Sequence, residues 1–132
     1  MNGANITDIR IRSERLRSER IGPSQEQSET SQGQKETYYI YVRIFLEDTS
    51  QGAELDNIDY VVYKLHPSFK NPLRRSDDRR SNFEIKIWTY GWFHISATII
   101  PKQGLPMEIK GKVEFTPTPE EIATNGADEF RW

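Results

Sequence analysis

Few residues in this chain are equipped for covalent chemistry. Its two histidines, His66 and His94, stand 28 positions apart, and neither belongs to a motif with metal-ligand spacing. No cysteine is present, which removes a thiolate nucleophile, a thiolate metal site and a disulfide framework together. Carboxylates are scattered through turns and solvent-facing positions, and spacing nominates no pair of them for acid–base work. Asp77 and Asp78 lie within a run of arginines, where mutual neutralisation is the expected role. The glycines follow no phosphate-cradling pattern. The chain reads as non-enzymatic, without metal or cofactor.

Chemistry suited to recognition is better represented. The segment Leu65–Pro72, LHPSFKNP, sets a histidine, a hydroxyl and an aromatic ring at i, i+2 and i+3, with Pro67 and Pro72 stiffening the loop. Further on, WTYGWF at Trp88–Phe93 gathers four aromatics in six positions around a glycine. A glycine at a strand break lets another group approach the backbone closely. In one reading the aromatics of both loops plug the end of a core, and His66 is hydrogen-bonded to fix its own loop. In the other, the two loops form a binding site.

Either reading needs strands to hold the loops. Within Tyr38–Leu46, Ile40, Val42, Ile44 and Leu46 alternate with Tyr39, Tyr41, Arg43 and Phe45, the period of a strand with one buried face. Ile58–Leu65 alternates again, with Ile58, Tyr60 and Val62 against Val61, Tyr63 and Leu65. Phe83, Ile85 and Ile87 begin another strand, Thr89–Gly91 interrupts it, and Phe93, Ile95, Ala97 and Ile99 resume. Met107–Phe115 alternates strictly with Glu108, Lys110, Lys112 and Glu114. Asp48–Asn57 and Pro101–Pro106 have turn composition, and Pro67, Pro72 and the charged run Arg74–Arg80 make a loop that no central strand could contain. Helical signals are confined to a single turn near Pro119 and to the arginines around Leu16 and Ile21, which also fit a ragged helix in place of a first strand. Short strands between Pro and Gly turns predict an all-β fold, an immunoglobulin-like antiparallel β-sandwich.

The sandwich is expected over residues 37–117, with 118–132 as a C-terminal tail. Residues 1–36 hold almost no large apolar side chains. They read as a flexible polar segment, in which Ile9 and Ile11 mark a first edge strand near 7–12 and Gly22–Glu36 a connection. Hydrophobic residues are 35% of the 132 and mean hydropathy is −0.77, so one domain draws its core from the remainder of the chain. Net charge is −2 with the signs interspersed, which gives no electrostatic footprint for nucleic acid. No apolar run approaches the ~18 residues of a membrane span, and the N-terminus lacks the apolar core of a signal peptide. A cytoplasmic protein is expected, or a nuclear one if the source is eukaryotic.

Leu65-His66-Pro67-Ser68-Phe69, then Asn71-Pro72, then an apolar strand reaching Tyr90-Gly91-Trp92-Phe93, resembles the YEATS domain. In that family a leucine-histidine-x-serine/threonine-phenylalanine loop faces a glycine-tryptophan/tyrosine-glycine-x-phenylalanine loop. Ile9–Arg12 looks like the family's first strand and Tyr38–Leu46 like its second, and the likeness covers most of residues 7–116, nearer the prokaryotic type. The resemblance implies a reader of acylated lysine. Phe69 and Tyr90 would sandwich the flat acyl amide, with Phe93 as a wall. Ser68 would hydrogen-bond that amide, the Tyr90 backbone N–H would donate to its carbonyl, and His66 would orient Ser68. Thr89, Gly91 and Trp92 complete the second loop. Thr89 stands where the family usually has glycine, and Trp92 where it has a small or acidic residue. The indole would either lengthen the aromatic platform or block the open end of the slot. The implied partner is a protein or peptide carrying an acylated lysine. The alternative is an immunoglobulin-like interaction domain without the pocket, binding through a sheet edge or the Tyr38–Phe45 face.

Overall fold

Alternation decides which side chains a strand can bury, and the computed structural model, which describes residues 9–21, 37–49 and 54–125, shows two sheets built on that rule. The described strands are β1 (Ile9–Ile21), β2 (Thr37–Asp48), β3 (Ile58–Lys64), β4 (Leu73–Ser76), β5 (Ile85–Thr89), β6 (Phe93–Pro101) and β7 (Met107–Val113). A helix, α1 (Pro119–Asn125), follows them. One sheet has the order β1-β2-β5 and the other β4-β3-β6-β7, with every pairing antiparallel. The fold is the predicted immunoglobulin-like β-sandwich.

Its core is the inner face of β2, where Ile40, Val42, Ile44 and Leu46 are each 0% exposed, packed with Val61, Tyr63, Ile95, Ala97, Ile99 and Val113 from the other sheet. Burying one such aliphatic side chain contributes about 1.5–3 kcal/mol. No described helix is long and apolar enough to cross a membrane.

Several features depart from strict local pattern. β1 is 13 residues long, well beyond the segment near 7–12, and pairs with β2 from Ile9↔Asp48 to Ile21↔Thr37. Its register shifts between Arg15 and Arg17, so one periodicity does not run through the whole strand. The readings of residues 1–8, 22–36, 50–53 and 126–132 lie outside the described residues. β4 occupies the start of the charged run, as an edge strand directly after Pro72, where a proline is tolerated. In β3 the register shifts between Ile58 and Tyr60, and Ile58 is buried along with Val61 and Tyr63 rather than opposite them. Phe83 precedes β5 rather than opening it. Asn82 and Phe83 both have φ 60°, ending a 3-10 turn at Arg79–Ser81. The fully buried Phe83 is held there partly through its carbonyl, which accepts the Tyr63 hydroxyl at 2.6 Å.

The two sheets also join along one edge. Ser13 Oγ donates to the Glu114 carbonyl at 3.2 Å, and a side chain at Gly111 would put its Cβ 3.1 Å from that of Ile11. α1 continues this seam. Thr118 and Glu121 form a capping box, with the Thr118 N–H on Glu121 Oε1 at 3.0 Å and the Glu121 N–H on Thr118 Oγ1 at 3.2 Å. The same carboxylate, only 1% exposed, accepts Arg15 Nη1 at 2.8 Å and Nη2 at 2.5 Å.

Candidate functional site

The loop after β3 is closed at its base by the Leu65 N–H, which donates to the Pro72 carbonyl at 2.7 Å. Inside it the Phe69 N–H donates to the His66 carbonyl at 3.0 Å, making His66–Phe69 a turn. The Ser68 N–H donates to His66 Nδ1 at 3.1 Å, and Ser68 Oγ lies 2.9 Å from the same nitrogen. A backbone N–H only donates, so Nδ1 is the acceptor and the imidazole proton sits on Nε2. The Ser68 hydroxyl must then point its own hydrogen at Nδ1. His66 therefore sets both the backbone and the hydroxyl of Ser68.

The second loop joins β5 to β6. Thr89, 2% exposed, accepts the Gly91 N–H on Oγ1 at 3.2 Å and donates to the Gly91 carbonyl at 2.9 Å. A threonine where the family pattern has glycine thus shapes the turn with its hydroxyl. Tyr90, next in the chain, meets Tyr39 of β2 edge to face, with ring centroids 5.8 Å apart at 89°. Phe93 is fully buried and carries Phe69, their centroids 5.1 Å apart.

Between the loops lies a cleft of about 380 Å³ lined by Tyr39, Ser68, Phe69, Lys70, Trp88, Thr89 and Tyr90. Of the residues singled out from sequence, Ser68, Phe69, Thr89 and Tyr90 line it directly. His66 acts on it through Ser68, Gly91 through Thr89, and Phe93 from beneath Phe69. Trp92 does not line it and neither extends nor blocks it. Because Phe93 begins β6 facing the core, its neighbour Trp92 turns the other way. The indole Nε1 donates to the Phe115 carbonyl at 2.9 Å, and the ring stands edge-on to Phe115 at 6.4 Å. Tyr39, Trp88 and Lys70 were not singled out as site residues. Trp88 and Lys70 sit inside the two notable segments, but Tyr39 joins them only through the pairing of β2 with β5, in which Ile40 stands opposite Thr89. Among the described residues no three His, Asp or Glu side chains gather as metal ligands would.

Comparison with known proteins agrees with this architecture. The family model described as the prokaryotic YEATS domain matches residues 40–115, more than half of the chain. No curated protein matches. Among solved structures, the Yaf9 YEATS domain bound to H3K27ac is 17% identical with a TM-score of 0.51, covering 85% of this chain and 76% of that one. The yeast AF-9 homolog protein Yaf9 is also 17% identical, with a TM-score of 0.50 and coverage of 83% and 70%. At that identity the likeness is one of fold. With the family model spanning both loops of the cleft, this chain belongs to the prokaryotic YEATS domain family.

Proposed function

We propose that this chain is a non-enzymatic recognition module that binds an acylated lysine on a peptide or protein. The observation that carries the reading is one hydroxyl, Ser68, held by His66 on the wall of a cleft that Phe69 and Tyr90 also line. With its hydrogen committed to Nδ1, Ser68 Oγ offers lone pairs, which suit the N–H of a secondary amide. Phe69 and Tyr90 are assigned to the two faces of that amide, and the Tyr90 backbone N–H to its carbonyl. A neutral amide entering an aromatic slot has no charge to desolvate and exchanges its hydrogen bonds to water for those of Ser68 and Tyr90, whereas a lysine ammonium costs several kcal/mol there. Lys70 is the one charged side chain among the described residues lining the cleft, so its sign also opposes an unmodified lysine. The Yaf9 domain of similar fold is described as bound to H3K27ac, an acetylated peptide, which supports the same ligand class.

Stacking on two rings contributes about 0.5–1.5 kcal/mol each and a neutral hydrogen bond about 1 kcal/mol, so affinity should be micromolar or weaker. Titration of acetyl-lysine, crotonyl-lysine and unmodified peptides, followed by amide and indole NMR shifts, tests this directly. Acyl peptides should give saturable shifts at Ser68, Phe69 and Tyr90, weakened about tenfold or more by Tyr90→Ala. Absence of saturable shifts with every acyl peptide would sink the proposal. The alternative docking face, on the outer side of β2, holds a cross-strand aromatic pair beside an exposed arginine. Tyr41 stacks on Trp88 at 4.6 Å, and the Arg17 guanidinium lies 5.3 and 5.4 Å from their rings.

A further inference from the structure

We propose that the outer face of the four-stranded sheet carries a second site, for a carboxylate on the same peptide whose acylated lysine enters the cleft. This inference rests on the reading above. Lys64, Ser96 and Lys110 lie in one row across β3, β6 and β7, with Lys64 paired to Ser96 and Ser96 to Lys110. Strands are about 4.8 Å apart, so the two lysine backbones stand about 10 Å apart on either side of the serine. Both lysine side chains are exposed, and neither has an ion-pair partner among the described residues. His94 occupies the next row, opposite Lys112. A groove of about 590 Å³ follows this face, lined by Lys64, His66, Pro67, His94, Ser96 and Lys110 among others, and Glu108 is its one carboxylate. Two lysines thus flank a serine in one cross-strand row, and an anion seated between their ammonium groups would offset their like charges while accepting the Ser96 hydrogen.

Charge complementarity therefore selects an acidic side chain, and the loop selects where it must come from. His66 lines this groove and also holds Ser68 in the cleft, so the turn His66–Phe69 joins the two sites, and the lysine row lies two residues, about 6.6 Å, before it, within the reach of extended lysine and glutamate side chains. Such a turn spans less than about 7 Å, and an extended peptide advances about 3.3 Å per residue. A Glu or Asp two or three positions from the modified lysine reaches the groove.

The test uses acetyl-lysine and crotonyl-lysine peptides carrying glutamate or alanine at each of the three positions on either side. They are titrated by fluorescence anisotropy against wild type, the Lys64→Gln/Lys110→Gln double variant and Ser96→Glu, each checked for a cooperative thermal transition. Glutamate two or three positions away should bind about three- to tenfold tighter than alanine in wild type. That ratio should shrink as salt rises from about 50 to about 500 mM, and fall to about one in both variants. Ser96→Glu supplies a carboxylate between the lysines without removing either, so it remains decisive if the double variant fails to fold. Acyl-dependent binding with equal affinity for glutamate and alanine peptides overturns the second site and leaves the reader standing. No binding by any acylated peptide overturns both.

Discussion

Ser68 is worth little to a ligand unless its hydroxyl is aimed, and the two contacts to His66 Nδ1 aim it. Ser68→Ala should weaken acyl-peptide binding by about five- to tenfold, the worth of one hydrogen bond. His66→Phe, measured in the same titration, should match that loss, because Ser68 would lose both of its anchors. Elsewhere a single hydroxyl does structural work. Burial pushes the Tyr63 phenol up from its ordinary value, outweighing the Arg43 charge that pulls it down, with Glu84 adding to the rise. The phenol stays protonated and donates to the Phe83 carbonyl. Tyr63→Phe leaves that carbonyl buried without its donor and should cost about 1–3 kcal/mol in urea denaturation at unchanged slope. Residues such as His66, Ser68, Phe69 and Tyr90 were legible because each belongs to a short local pattern. Tyr39 was not, since its place beside Tyr90 depends on how two distant strands align.

At the scale of elements, α1 is joined to β1 by one carboxylate. Burial raises the Glu121 pKa, but hydrogen bonds from Arg15, Thr118 and Ser18, with the Arg15 charge, outweigh it and hold the group below its ordinary value. The Arg15 guanidinium is stabilised in return, chiefly by its hydrogen bonds to Glu121. A carboxylate whose folded pKa is depressed contributes stability above its unfolded value, and that stability is lost as pH falls through the folded one. Wild type should therefore lose thermal stability on acidification from about pH 5 to about pH 3 more steeply than Glu121→Gln. At neutral pH the variant should be less stable by about 2–3 kcal/mol, because Arg15 is left facing a neutral partner. Local sequence shows the helical turn near Pro119. The carboxylate's second partner lies 106 residues away and leaves no local trace.

At the scale of the molecule, the sandwich closes by bringing β1 against the segment that follows β7. β1 is an edge strand of one sheet, yet it is tied to the segment after β7 by Ser13–Glu114 and Arg15–Thr116 hydrogen bonds, each 101 residues apart in sequence. Gly111 permits the approach of Ile11, and Gly111→Val should cost about 1–3 kcal/mol through overpacking, read from the urea midpoint. A chain beginning at residue 37 would expose the edge of β2 and lose Ile9 and Ile11 from the core. It should show no cooperative thermal transition, whereas one beginning at residue 7 should retain it.

The sequence by itself determined the fold class, the inward face of each long strand and the two segments that meet at the cleft. Those features rest on local sterics: alternate side chains leave a strand on opposite faces, and turns demand particular residues. Only the tertiary structure decided the length of β1, the burial of Ile58 beside a register shift, the packing of Trp92 on Phe115 away from the cleft and the lysine row across β3, β6 and β7. Each of these depends on register, which is set by pairing between residues far apart in the chain. A shift of one position exchanges the two faces of a strand, and no local pattern records it.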